Sequence, residues 1–488
     1  MLVSLRAAVA VAMLAGFYVL ALGLVGGLVA LEVYAFNHSV ALGAKLAFLI
    51  VALGYALVRA LITVEKLQEE EDVSGVRVTV SDQPELWGLV RMLADKTGTR
   101  APDSLTIVAD VNAGVSERTR LLGLRVVRRE MFIGAPLLAC LTEAQLTAVL
   151  AHELGHYGRP SGVVMTGRNA LLRVVSGFRA DDWFQKLLAR LFKLYAKLYF
   201  RVSGAICRRQ EFAADVTSAR IAGSDAAASA LREVPVIGAA WTLFVERHLT
   251  AAWAAGYLPD TFFDGFASLL AAPELRVELD EIRRNPVQTG RMPYDSHPPL
   301  PDRIEAIHAL ASPGKPGGDR PATALLHGDV LDQSLLDSMV AEAGQKTRVD
   351  WVTLGHIGAR GAAVRETASL LRKAGGTLGH VLDALDAGRI AELGPSDARP
   401  GAADAGPRAR REFARPYVCN DVTGLVALAL SDAGLASWHL SWTGNAQLVT
   451  QLSIEDAITL AMDGDTAELR AQLAAAGVGL DYHPVQEG

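Results

Sequence analysis

Residues 7–31 pass without a charged side chain, and residues 40–58 carry only Lys45, near their start. Each run is long enough to cross about 30 Å of hydrocarbon as a helix. A cleaved secretion signal has an apolar centre of about 7–15 residues. The first run is longer, lacks a convincing cleavage site and is followed at once by the second. The pair is therefore expected to form a two-helix transmembrane hairpin within residues 1–66. Arg6 precedes the first run, and Arg59 and Lys66 follow the second. The short loop between them offers Glu32 and His38, with Lys45 just inside the second run. That balance of basic residues places both ends in the cytoplasm and makes the chain a multi-pass protein of the cell membrane.

A hydrophobic content of 51% and a mean hydropathy of +0.24 fit a chain that is partly embedded in lipid. The net charge of -6 gives no argument for a nucleic-acid partner, and none is expected. Cys140, Cys207 and Cys419 lie far apart with no C-x-x-C pair, which excludes a cysteine-zinc ribbon and argues against a disulfide scaffold.

With 488 residues there is room for two or three domains. After the hairpin, residues 67–312 are expected to form one domain and 313–488 a mainly helical extension. A Pro/Gly-rich stretch at 312–319 marks the boundary, and a flexible linker is expected near 393–411. The acidic run 68–72 reads as a solvated linker. Residues 76–80 alternate like a strand, and 84–96 read as an amphipathic helix with Leu86, Leu89, Val90 and Leu93 on one side. Strands are expected at 104–109, 124–127 and 131–133. The fold class is therefore α+β: a small strand lobe on a mainly helical domain.

The chemistry centres on Ala151-His152-Glu153-Leu154-Gly155-His156. Thr142 and Gln145 have capping-box spacing, so a helix is expected from about Glu143. Residues i and i+4 lie about 40° apart around a helix, so His152 and His156 share a face and can hold one Zn²⁺. Glu153 flanks that face, where it can take a proton from a metal-activated water. Gly155 leaves room for a close approach. Two histidines leave such a site one protein ligand short. Glu211 and Asp215 are also i and i+4. One of these carboxylates can bind metal while the other accepts the free N–H of a ligand histidine.

Three segments in order carry a family resemblance: His152–His156, Glu211–Asp215, and Ser296-His297-Pro298-Pro299-Leu300-Pro301-Asp302-Arg303-Ile304. Across residues 74–310 the chain resembles the HtpX-type membrane zinc metallopeptidases, of the gluzincin clan and the same family as the CAAX prenyl endopeptidases. The resemblance implies a zincin-like metallopeptidase domain with one Zn²⁺ per chain. It implies Glu211 as third ligand and Asp215 as its companion behind the metal. It also implies His297 and Arg303 at the site, with His297 touching substrate or a developing oxyanion. Asn112 and Ala113 fall where the family has its substrate-binding edge strand. Protein or peptide substrates and the lipid bilayer are the partners implied.

Members of that family often have further spanning helices between the two metal-binding helices. Here 161–206 holds too many charges to span. Lys186, Arg190, Lys193, Lys197 and Arg201 form one helical stripe, either lying on the anionic inner leaflet or forming the wet face of a core helix. In the tail, helices are expected at 331–343, 363–390 and 453–476, and Trp438, His439 and Trp442 read as packing residues. The function expected is a membrane zinc endopeptidase in protein quality control. The alternatives are a dedicated signalling protease that cleaves one regulator and a non-catalytic zinc-bound membrane scaffold. The topology is testable directly. A reporter fused after Gly488 should be cytoplasmic and one inserted near His38 external; cleavage of the 74–310 region by protease added outside intact cells would overturn the orientation.

Overall fold

The computed structural model describes residues 74–120, 125–156, 183–285, 297–314, 320–328, 330–331, 343–395 and 406–485, with scattered positions before 48. Most of the expected hairpin, most of the tail helix at 331–343 and most of the expected linker thus lie outside the described residues. Among the described residues one helix, Ser224–Ala254, is long and apolar enough to cross a membrane, and 39% of its apolar window is buried inside the protein. Core helices of that kind share this property, so length and composition alone do not make it a span.

The chain is mixed α and β, mainly helical with small sheets. It divides into two compact units. The first combines Met1–Gly238 with Asp280–Met339, and the second combines Ala239–Leu279 with Val340–Gly488.

The first unit opens with β1 (Val76–Val78) and α1 (Pro84–Thr97). Proline at the first helical position starts α1, because its missing N–H has no intrahelical partner there anyway. Gly98, at φ 66°, ends it by donating to the Ala94 and Asp95 carbonyls. Leu86, Leu89, Val90 and Leu93 are buried, as their spacing requires. β2 (Ser104–Val108), β3 (Ala113–Arg120) and β4 (Arg125–Gly134) complete a sheet of order β1-β2-β4-β3. β2 runs parallel to β4 and is buried along its whole length, while β3 pairs with β4 alone and forms an edge. The two short strands expected at 124–127 and 131–133 are thus one strand. Arg128, Arg129 and Glu130 do not break it, because Glu117 lies opposite Arg129 in register and binds it at 2.6 Å.

After the short α2 (Ala135–Cys140) comes α3 (Glu143–Gly155). Its capping box is present: Thr142 Oγ1 accepts from the Gln145 N–H at 3.2 Å, and Gln145 Oε1 accepts from the Thr142 N–H at 2.9 Å. α4 (Trp183–Ala222) is a single helix of 40 residues, about 60 Å long at 1.5 Å per residue. α3 packs along its C-terminal half. A Cβ on Gly155 would lie 3.3 Å from Ala214 Cα and 3.3 Å from Thr217 Cβ, so the crossing is as tight as backbone contact allows. The buried Ser218 hydroxyl donates to the Ala148 carbonyl at 2.7 Å and ties the helices again two turns away. α5 (Ser224–Phe244) follows, and Ser224 Oγ donates to the Ile307 carbonyl of α6 (Leu300–Ala309) at 2.8 Å. α6 thereby packs against α4 through Ile307, Ala219 and Ala222.

In the second unit, Tyr257–Pro259 pairs parallel with Thr347–Val349, and Trp351 seats its ring on Gly265. Trp241, Phe244, Phe262, Phe266 and Trp351 form one aromatic cluster. Trp438 is buried, and Trp442 meets the Trp351 ring edge to face and lies beside the His248 ring, so both tryptophans are packing residues. The helix expected over 363–390 is broken at Gly375 and Gly376, both at positive φ, into Trp351–Ala374 and Leu378–Asp386. An unexpected helix, Pro407–Asp432, overlaps the end of the expected linker.

The Gly155 crossing can be tested. Gly155→Val adds carbons where none fit, and overpacking of this kind costs about 1–3 kcal/mol. A lower melting temperature should follow, together with weaker metal binding as α4 is pushed away. A variant as stable as its parent would show that the helices are not in contact there.

Candidate metal centre

The capping box fixes where α3 starts; His152 lies in its last turn, ten residues after Thr142, and His156 caps its C-terminal end. Their Nε2 atoms lie 3.2 Å apart, and the rings meet edge to face. α4 brings Glu211 opposite. Its carboxylate oxygens are 3.6 Å from His152 Nε2 and 3.7 Å from His156 Nε2. Bonds of about 2.0–2.1 Å to a common tetrahedral centre put the donor atoms roughly 3.3 Å apart. The three separations come close to that, so two imidazoles and a carboxylate face one point and can hold a metal ion. Glu211 Oε2 is buried, and its contacts with His152, His297 and Arg303 are ion pairs rather than well-formed hydrogen bonds.

Behind these donors lies a second ring of contacts. Asp215 Oδ1 is 3.0 Å from His152 Nδ1, so Nδ1–H donates to the carboxylate and Nε2 is left to face the site. Arg303 comes from the first turns of α6 and grips Asp215 with a fork: Nε donates to Oδ2 at 2.8 Å and Nη2 to Oδ1 at 2.7 Å. Its Nη1 lies 3.2 Å from Glu211 Oε2. Glu211, Asp215 and Arg303 are all buried. His297 is exposed, yet its Nδ1 is 3.1 Å from Glu211 Oε2.

The protonation of the protein groups follows from these neighbours. Burial works against a charge on His152, but hydrogen bonds to Asp215 and Glu211 prevail and push its pKa up to about 9. Burial, and then the His152 charge, push His156 down to about 4. Burial alone would raise the Glu211 and Asp215 carboxyls. Contacts with His152 and His297 for the first, and with Arg303 and His152 for the second, hold both below the ordinary carboxylate range. Glu153 is pushed the other way, raised above its ordinary value chiefly by burial.

The residues singled out in the three motif segments lie together here: His152, Glu153, His156, Glu211, Asp215, His297 and Arg303. Ala113 opens the edge strand β3, which packs against α3. Asn112 is exposed just before it, and its carbonyl accepts from the Gly134 N–H at 2.7 Å. Sequence reading missed Ser218 and the Ala214 contact. Their signal was present, because Glu211, Ala214, Asp215 and Ser218 follow i, i+3, i+4, i+7 and so share one face of α4.

Paired histidines one turn apart, a carboxylate from a second helix and an acid beside the first histidine define a metallohydrolase centre. Residues 89–311 match the sequence profile of peptidase family M48, a family of metallopeptidases. The chain is therefore a hydrolase acting on peptide bonds. No solved structure matches it.

Removing single donors tests the geometry. Glu211→Ala should lose most of its bound metal. Asp215→Asn, which disturbs only the partner of His152, should weaken metal affinity about 10–100-fold. Elemental analysis and competition with a chelator would measure both. Full occupancy in Glu211→Ala would remove Glu211 from the ligand set.

Proposed function

We propose that the chain is a membrane-anchored zinc endopeptidase that cleaves membrane proteins at the cytoplasmic face, in protein quality control. The observation that carries this reading is the 3.2 Å approach of the two imidazole Nε2 atoms beside Glu211, with Glu153 on the same helix. His152, His156 and Glu211 would hold one Zn²⁺ per chain, and the bound ion would supply the Lewis acidity that polarises a peptide carbonyl and acidifies water. The donor set, two imidazole nitrogens and one carboxylate oxygen, suits zinc.

Glu153 is the general base. Burial raises its pKa above the ordinary carboxylate value, and from its place beside His152 it can take a proton from the attacking water and return it to the leaving amine. His297 has an exposed ring whose Nδ1 is turned to Glu211, so its other nitrogen can donate to the oxyanion that forms on the substrate. Asp215 holds the His152 tautomer, and Arg303 holds Asp215. The free edge of β3, opening at Asn112 and Ala113, takes an extended peptide by main-chain pairing. Such pairing reads no particular side chain, which favours a broad clearance role over cleavage of one regulator. In this reading residues 1–66 anchor the chain, 67–312 form the peptidase domain, and 313–488 are an extension with its linker near 393–411.

Glu153→Gln separates this reading from a structural metal site. The substitution keeps size and polarity and removes basicity, and a positioned general base contributes about 10²–10⁴-fold. Cleavage of unfolded casein in detergent should fall by at least that range, with metal content and melting temperature unchanged. Cleavage at the parental rate would sink the mechanism.

A further inference from the structure

The N-terminal half of α4 takes no part in the metal centre, and its composition is one-sided. Between residues 183 and 210 there are seven Lys or Arg and no Asp or Glu. Arg190, Lys193, Lys197 and Arg201 are exposed, and none has an ion-pair partner among the described residues. Beside them Leu194 is 67% exposed and Leu198 55%, on a helix whose Tyr199 and Phe200 are buried. Two large apolar side chains set next to a row of cations suit a surface whose apolar part is covered.

Angles around the helix order these groups. At 100° per residue the four cations span roughly 80°, Leu194 and Leu198 lie on their flank, and Tyr195 comes next, roughly 140° from Arg190. Tyr195 Oη donates to the Met13 carbonyl, and a Cβ on Gly16 would lie 3.2 Å from the same oxygen. Met13 and Gly16 belong to the uncharged run at 7–31, two to three turns from its Arg6 end. The leucines therefore lie between the cations and a segment long enough to cross hydrocarbon.

We infer that this face of α4 is a docking surface for an anionic lipid bilayer: Leu194 and Leu198 enter the acyl boundary, and the four cations meet lipid phosphates. Phosphates attract the cations without needing specific shapes, and hydrocarbon is what the leucines require. α4 is one unbroken helix, so the bilayer contact is rigidly joined to Glu211, ten residues beyond Arg201 and about 15 Å along the axis. On the peptidase reading above, this fixes the lateral offset between the docked stretch and the cleavage site, so the substrates are segments held close to the bilayer surface.

The test needs no cleavage. The full chain, with Cys140, Cys207 and Cys419 changed to alanine and normal metal content verified, carries a nitroxide on Leu194→Cys or, as an aqueous reference, on Asp225→Cys. It is placed in nanodiscs of phosphatidylcholine alone or with 30% phosphatidylglycerol. Accessibility to oxygen and to a water-soluble nickel chelate is then read. With the anionic lipid the Leu194 label should favour oxygen and the Asp225 label the chelate. Lys193→Gln/Lys197→Gln/Arg201→Gln should shift the docked equilibrium by about 10²-fold, at roughly fivefold per cation, and restore chelate access at Leu194. A Leu194 label open to the chelate in anionic nanodiscs would overturn the proposal. So would shielding that ignores both lipid charge and the triple substitution, since a protein surface would then be the occupant. Failure of the chain to enter nanodiscs would overturn it too. Loss of lipid docking with intact cleavage, or the reverse, tells the two readings apart.

Discussion

The metal centre depends on how closely α3 and α4 approach. No donor of the set reaches the others along its own helix except the two histidines. Glu211 is delivered only because Gly155 lets Ala214 come to backbone contact. The crossing is held a second time by the Ser218 hydroxyl on the Ala148 carbonyl. Two small residues and one hydroxyl thus set the third vertex of the site.

That closeness has an electrostatic cost. Glu211 and Asp215 are drawn out of water within one turn of each other, and like charges so placed would repel. Arg303 offsets this. Its planar fork satisfies Asp215 on both oxygens while Nη1 approaches Glu211. A lysine could not span both groups, because its charge is a point on a flexible stem. The proline-rich entry to α6 gains meaning here. Pro299 and Pro301 fix the start of α6, and Arg303 enters the cluster from its first turns.

Much of this was legible in the sequence because it is local. A capping box, histidines at i and i+4 and a second i, i+4 pair of acids are read from spacing alone, and each appears where expected. The resemblance added His297 and Arg303, which no spacing rule would have linked to residues about 90 and 150 positions earlier. What could not be read was nonlocal. β4 looked like two strands because Arg128, Arg129 and Glu130 interrupt its apolar pattern, and only the cross-strand partner Glu117 explains them. Pro407–Asp432 was hidden by a start rich in Pro, Ala and Arg, although proline at that first position is a helix signal. The hairpin at residues 1–66 rests on hydropathy.

The second unit is assembled from two stretches that lie on either side of His297 and Arg303 in the chain. Trp351, from the later stretch, covers Gly265 of the earlier one and donates its indole N–H to the Thr261 carbonyl at 2.6 Å. Leu258 and its neighbours likewise take their strand partner from 347–349. The family match ends at 311, between the two stretches of this unit. A chain stopped there would keep every group of the metal centre and yet lose the lid over Trp241, Phe262 and Phe266. Such a truncated peptidase would be sticky, whereas a chain nicked between 312 and 340 would hold together. The extension is thus the missing half of a core that the peptidase segment begins.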